Sequence, residues 1–202
     1  MFIHWGLKEI HLKIVYYGPG LCGKTENLRY IHSKIDPALK GDLIMLKSNE
    51  DRTIYFDFLQ LEVGHLDGKK PKFNLYTVPG QVHYERTRGI VLNDVDGIVY
   101  VADSQKEMMD ANLDTLLDLE KHLIEEGKSL ETFPWVLQYN KRDLPNIESI
   151  EEMEHKLNFF HVPSFEAVAT RGQGVFPTLK TVIRQVVAQA QIQLRQEQRL
   201  SA

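Results

Sequence analysis

Residues 15–32 read VYYGPGLCGKTENLRYIH. An apolar run stops at Tyr17, breaks into glycines, and resumes after Lys24 and Thr25 as a helix-forming segment. Glycine weakens any ordered segment it joins, so its use here marks a place where backbone must approach something closely. The octet Gly18, Pro19, Gly20, Leu21, Cys22, Gly23, Lys24 and Thr25 matches G-x-x-x-x-G-K-[ST]. That pattern lets successive backbone N–H groups point into one concavity suited to phosphate oxygens. Lys24 is placed to meet the β- and γ-phosphates, and the Thr25 hydroxyl to ligate Mg²⁺. The helix that follows adds its positive N-terminus. The competing reading is a glycine-rich turn that happens to precede a helix. The placement between a strand and a helix counts against it.

Outward from this loop the pattern alternates strand and helix without a linker-like gap. IHLKIVYY (10–17) reads as a strand, and the helix after the loop is expected to end before Pro37 or Gly41. RTIYFDFLQLEV (52–63) and PKFNLYTV (71–78), separated by the turn residues GHLDGKK, read as an antiparallel hairpin. GIVYVAD (97–103) and FPWVLQYN (133–140) are short apolar runs, the form of strands buried on both faces. Met109, Leu113, Leu116, Leu117, Leu123 and Ile124 keep helical spacing and read as a core face. Val175, Phe176, Leu179, Val182, Ile183, Val186 and Val187 do the same. The polar stretch from 194 to 202 is expected to fray. The sum is an α/β fold, a mostly parallel sheet with helices on both faces, in one domain over 1–202.

Composition narrows the classes. The 202 residues are 43% hydrophobic and 26% charged, with net charge −4 and one cysteine. No long basic run is present, which argues against nucleic acid as the main partner. The lone cysteine excludes an intrachain disulfide and fits a cytoplasmic protein. No apolar run reaches transmembrane length. Phe2 stands where a myristoylation glycine is needed, and the ending RLSA carries no prenylation cysteine. No lipid anchor is therefore expected, and membrane contact would come through partners or surface patches. The eight histidines show no metal-ligand spacing.

Asn140, Lys141, Arg142 and Asp143 follow the apolar strand that ends at Tyr139. A carboxylate at Asp143 can accept from both N1–H and N2–H₂ of guanine. Adenine offers neither donor there and would leave the acid buried and unpaired. The aliphatic stem of Lys141 is suited to lie along the base. Asn140 is suited to tie this loop to the phosphate loop. Alone, four residues are a weak match; after a phosphate loop, in this order, the conjunction is strong.

The two motifs, with TVPGQ (77–81) between them, resemble the Ras superfamily of small GTPases. VYYGPGLCGKT, YTVPGQ, GIVYVADSQ and QYNKRDLPN are similar, more narrowly, to the MglA family, a bacterial branch associated with gliding motility and cell polarity. The resemblance covers nearly the whole chain. It implies the P-loop NTPase, small-GTPase fold, with a six-stranded sheet and five helices. It also implies GTP and GDP as ligands, Mg²⁺ as cofactor, slow GTP hydrolysis, and effectors that read the GTP state. A roadblock-type, MglB-like activating protein and recruitment to a cell pole are implied in the same way.

By this resemblance Thr53 is the first-switch threonine, contacting Mg²⁺ and the γ-phosphate. Arg52 before it is either a finger in cis that counters charge on the transferred phosphoryl group or a partner-binding loop charge. Gln81, after Gly80, orients the attacking water, against a plain helix-start role. Ala167, Val168 and Ala169 stand where relatives have a Ser-Ala-Lys type run, so the expected contact is a backbone N–H to guanine O6, in a register that can slip by one residue. Most small GTPases carry aspartate where this chain has Thr77. That aspartate holds a water on Mg²⁺. Asp57 is a candidate replacement, although an exposed strand position is the plainer reading. Cys22 is either a reactive thiol beside Lys24 or a small space-filling residue. A nucleotide-dependent scaffold with little hydrolysis is the alternative function, kept alive by Thr77. A phosphotransferase is disfavoured by the guanine-type motif.

Overall fold

The computed structural model describes residues 1–47, 53–66, 68–79 and 85–200. The strands are β1 (Phe2–His4), β2 (Glu9–Tyr17), β3 (Ile44–Lys47), β4 (Thr53–Glu62), β5 (Lys70–Thr77), β6 (Gly97–Asp103), β7 (Trp135–Asn140) and β8 (Ser164–Glu166). The helices are α1 (Lys24–Lys34), α2 (Glu85–Leu92), α3 (Met109–Glu125), α4 (Ile150–Leu157) and α5 (Val175–Leu200). All eight strands join one sheet in the order β3-β4-β5-β2-β6-β7-β8, with β1 paired to β2. From β5 to β8 the neighbours are parallel; β3, β4 and β1 pair antiparallel.

The expected six strands are therefore joined by two short ones. β1 forms a hairpin on Glu9–His11, along the edge of β2 that β6 reaches only at Ile14. β3 covers the outer edge of β4. Both are too short to announce themselves by periodicity, and both cap backbone edges that would otherwise invite pairing with another chain.

The sheet separates two cores. Ile10, Leu12, Ile14 and Tyr16 of β2 face α1 and α5, packing with Leu28, Ile31, Leu179 and Val182. Val15 and Tyr17 face the opposite layer, where Leu92, Leu119, Leu123 and Met153 come from α2, α3 and α4. This is the strand alternation of side chains carried through a two-faced sheet. β6 and β7 are buried along their full lengths, as parallel central strands require. α1 stops at Lys34, ahead of Pro37, as expected. Ser149 caps α4 by accepting from the Glu152 N–H, with two acids in the first turn and His155 and Lys156 in the last.

Two helix readings change. On α3, Leu116, Leu119 and Leu123 are buried, whereas Leu117 and Ile124 are each 62% exposed. The apolar stripe is broader than the contact, and docking of α3 selects its phase. α5 runs helical through the polar stretch after 194, and Leu194 is buried.

α2 is clamped to the core by charge. Arg88 Nε donates to Asp118 Oδ2 at 2.8 Å, and the Tyr17 hydroxyl donates to the same oxygen at 2.5 Å. Arg88 is nearly fully buried. Taking one partner from a buried pair is costly because a charge is left desolvated. Asp118→Ala should thus lower unfolding free energy by about 3 kcal/mol, read from the urea midpoint at unchanged slope.

Candidate functional site

The loops that follow β2, β6, β7 and β8 all open at one end of the sheet, outside the carboxyl ends of its parallel strands, where such folds bind ligands. The phosphate-loop segment is built by backbone conformations that side chains would forbid. Gly18 has φ +139°, and a Cβ there would lie 2.1 Å from the Val101 carbonyl oxygen. Gly23, at the N-cap of α1, has φ +104°, and its Cβ would meet Asn140 Nδ2 at 2.2 Å. Pro19 and Cys22 are buried, Gly20 is half-buried, and Leu21 is exposed on the outside of the turn. Lys24 folds over the loop: its Nζ donates to the carbonyls of Gly18 and Pro19 at 2.8 and 2.6 Å. The ammonium is thereby held, nearly buried, against the loop's own backbone.

Cys22 is fully buried, and burial is the main influence pushing its thiol up, with the nearby Lys24 ammonium opposing. The Lys24 Nζ lies 3.6 Å from its sulfur. A raised thiol with no exposed surface favours the space-filling reading over a reactive thiolate.

Beside the loop, three oxygen-bearing side chains converge. Thr25 Oγ1 donates to Asp57 Oδ2 at 2.5 Å, and Thr77 Oγ1 donates to the same oxygen at 2.9 Å. The Asp57 N–H donates back to Thr77 Oγ1 at 2.9 Å. Asp57 and Thr77 are fully buried. The exposed-strand reading of Asp57 is therefore corrected. The antiparallel pairing that sets Phe58 opposite Tyr76 carries Asp57 onto Thr77. A buried carboxylate between two hydroxyls is a hard oxygen set that fits Mg²⁺, which is held through one or two carboxylates together with phosphates and waters. Among the described residues no cluster of three His, Cys, Asp or Glu side chains offers a competing metal site.

The base-side loops are locked to the phosphate loop through Asn140. Its Nδ2 donates to the Cys22 carbonyl at 2.7 Å, and its Oδ1 accepts from the Ala169 N–H at 2.9 Å. One buried amide thus joins three loops from distant parts of the chain. Lys141 adopts φ +65°, and its Nζ donates to Asp103 Oδ2 at 2.5 Å. That pair fixes the amine and leaves the stem of Lys141 stretched between β7 and β6. Asp103 is itself buried and oriented by Asn112, which bonds its backbone on both sides. Asp143 is partly exposed, with Arg171 Nη2 at 3.5 Å from its Oδ2.

Ala167, Val168 and Ala169 reach the same end of the sheet, but their three N–H groups are already engaged, with the carbonyls of Tyr139 and Gln173 and with Asn140 Oδ1. Thr53 opens β4 with its backbone paired to Lys47. Arg52, Gly80 and Gln81 lie outside the described residues.

Several supporting residues carry no motif. Asn27 of α1 and Gln138 of β7 exchange amide bonds at 2.8 and 3.0 Å, and Gln138 continues to Thr178 of α5 at 3.1 Å. The signal, in hindsight, is a glutamine inside an apolar strand: a buried amide must be paired. Asp103, within VADSQ, offered the same hint as an acid closing a fully buried strand.

Residues 10–191 match the model of the ADP-ribosylation factor family. The chain is also 52% identical, over 188 residues, to the mutual gliding-motility protein MglA of Myxococcus xanthus (strain DK1622), covering 93% of this chain and 96% of that protein. Sheet order, phosphate loop and guanine-type loop agree with this likeness. On these grounds the chain belongs to the ADP-ribosylation factor family of small GTPases.

Proposed function

We propose that the chain is a GTP-hydrolysing switch that works with Mg²⁺ in gliding motility or cell polarity, turned off by a roadblock-type, MglB-like activator and read by effectors in its GTP state. The observation that carries this reading is Asp57 between Thr25 and Thr77. The scaffold alternative drew on Thr77 as a lost acid, and Asp57 supplies that missing charge from the neighbouring strand. Mg²⁺, when bound, neutralises charge on the β- and γ-phosphates.

The residues have divided tasks in this reading. Lys24 turns from the Gly18 and Pro19 carbonyls to the phosphates. Thr25 and Thr53 offer hydroxyls to the metal, while Asp57 and Thr77 orient its water. Asp143 accepts from the guanine edge, the Lys141 stem covers one face of the base, and a backbone N–H of the Ala167–Ala169 segment meets O6. Gln81 positions the attacking water and Arg52 counters charge on the leaving phosphate. Polar localisation follows from partners that bind one nucleotide state.

The test is the Mg²⁺ dependence of nucleotide release. Asp57→Asn should speed release at saturating Mg²⁺ by about 10–100-fold, the usual cost of losing a residue that orients metal-bound groups. Thr77→Ala should do less, because the carboxylate stays. Release from Asp57→Asn that matches the unaltered chain, at every Mg²⁺ concentration, would remove Asp57 from the metal site.

A further inference from the structure

Resting on the guanine-nucleotide reading above, we propose that Asn27, Gln138 and Thr178 are positioning residues that set the base selectivity of that site through one buried tie. All three are 0% exposed. A side chain without accessible surface cannot touch a bound nucleotide, so these act through the backbone they hold.

The tie grips two glycines in the same way. Asn27 is in the first turn of α1, and its Nδ2 donates to the Gly23 carbonyl at 3.0 Å, beside its own N–H at 3.1 Å. Thr178 is in the first turn of α5, and its Oγ1 donates to the Gly174 carbonyl at 2.7 Å, beside its own N–H at 3.1 Å. Gln138 of β7 joins the two ends. Its Oε1 accepts from Asn27 Nδ2 at 2.8 Å, while its Nε2 donates to Asn27 Oδ1 at 3.0 Å and to Thr178 Oγ1 at 3.1 Å. A carbonyl only accepts, so Thr178 gives its proton to Gly174 and takes one from Gln138. Both N–H groups of each amide are thus used, and the directions are fixed.

The two glycines belong to opposite halves of the site. Gly23 directly precedes Lys24 and Thr25. Gly174 has φ +74°, and a Cβ there would lie 2.1 Å from the Glu166 carbonyl oxygen and 2.9 Å from Ala167 Cβ. It is wedged against the end of β8 and the Ala167–Ala169 segment, whose Val168 N–H donates to the Gln173 carbonyl at 3.1 Å. In the proposed reading a guanine nucleotide spans the same two halves, with phosphates at one and the base at the other. Its fit depends on how far apart they are held.

Stability alone gives no reason for amides here. Val136, Val175 and Val182 pack in this core, and Gln138 shares the β7 face of Val136 and Asn140. Apolar side chains of matching shape can replace a hydrogen-bonded pair at little cost. Hydrophobic contact is non-directional, however, whereas a fully satisfied amide network rigidifies one arrangement. Asn140 already ties Cys22 to Ala169. One tie leaves a hinge between the halves, and the second removes it.

Asn27→Leu with Gln138→Met deletes both amides and strands no buried donor. Affinities for GDP and ADP are measured by displacement of a fluorescent GDP analogue, beside the urea midpoint. ADP carries the same phosphates without the guanine donors, so it reports the phosphate half alone. GDP affinity should fall about tenfold or more, as misplacement by a mutation outside the site can cost, while ADP affinity and the midpoint hold. The GDP-to-ADP ratio should therefore fall by that factor. Thr178→Val should lower the ratio too, and Thr178→Ser, which keeps the hydroxyl, should preserve it. An unchanged ratio in the double variant overturns the proposal. So does a joint loss of GDP and ADP affinity, the mark of a merely structural role. If the double variant does not fold, the Thr178 pair decides, and equal ratios in Thr178→Val and Thr178→Ser overturn the tie. A ratio near one in the unaltered chain is a separate failure: it removes the guanine reading itself, and this proposal with it.

Discussion

Gln81→Leu is expected to keep GTP affinity and bring turnover close to zero, and Arg52→Ala to lower activated turnover by about 10³–10⁵. Hydrolysis needs a positioned water and compensation of charge moving onto the leaving phosphate. In the proposed reading Lys24 and Mg²⁺ hold the ground state, so neither substitution removes the main binding contacts. The neighbouring geometry supports both assignments. Val78 and Pro79 leave β5 buried, directly after Thr77, which is bonded to Asp57. Gln81 is therefore two residues from a segment fixed beside the metal position. Arg52 directly precedes Thr53, whose backbone pairs with Lys47. An arginine there helps only when its segment is held over the phosphate, so its defect should be largest with the activator present. Single-turnover hydrolysis with and without the activator, beside a binding measurement, checks both. A loss below tenfold in Arg52→Ala is too small for a finger and returns Arg52 to the partner-binding surface. Normal turnover in Gln81→Leu removes this mechanism.

Asp143→Asn should invert base preference, from guanine to xanthine nucleotides. In the proposed reading the carboxylate accepts from two guanine donors, whereas asparagine offers one acceptor and one donor, and xanthine presents a carbonyl at C2 that can accept. Sites built around such hydrogen bonds reject a mismatched analogue by about 10⁴–10⁵, and the inversion should approach that range. Asn140 holds the loop by its ties to Cys22 and Ala169, so the exchange at Asp143 leaves the frame standing. Arg171, 73% exposed and 3.5 Å from the carboxylate, adds little because solvent screens it. Competition calorimetry with GTP, XTP and ATP measures the shift. ATP competing equally with GTP in the unaltered chain would refute the guanine assignment.

The sequence by itself determined the glycine-rich loop, the Asn140–Asp143 motif and the mostly parallel character of the sheet that carries them, but not the order of its strands. Each is a contiguous signal: a loop's conformation depends on its own glycines and on the strand just before it. Gly18 and Gly23 are needed where they stand because backbone and Asn140 crowd them, and that need shows as glycine in the sequence. The helical stripes were legible, but their phase was not. Leu117 and Ile124 belong to the apolar spacing of α3 and still face outward, because only docking on the sheet chooses which part of a broad stripe is covered. The amide ties of Asn27 and Gln138 join residues 111 positions apart, beyond the reach of any local pattern. Asp57 is the sharpest case. Whether it faced solvent or the metal position turned on the β4–β5 register, and a slip of one residue would send it to the other face. Strand pairing, set by the packing of both cores, placed that carboxylate against Thr25 and Thr77.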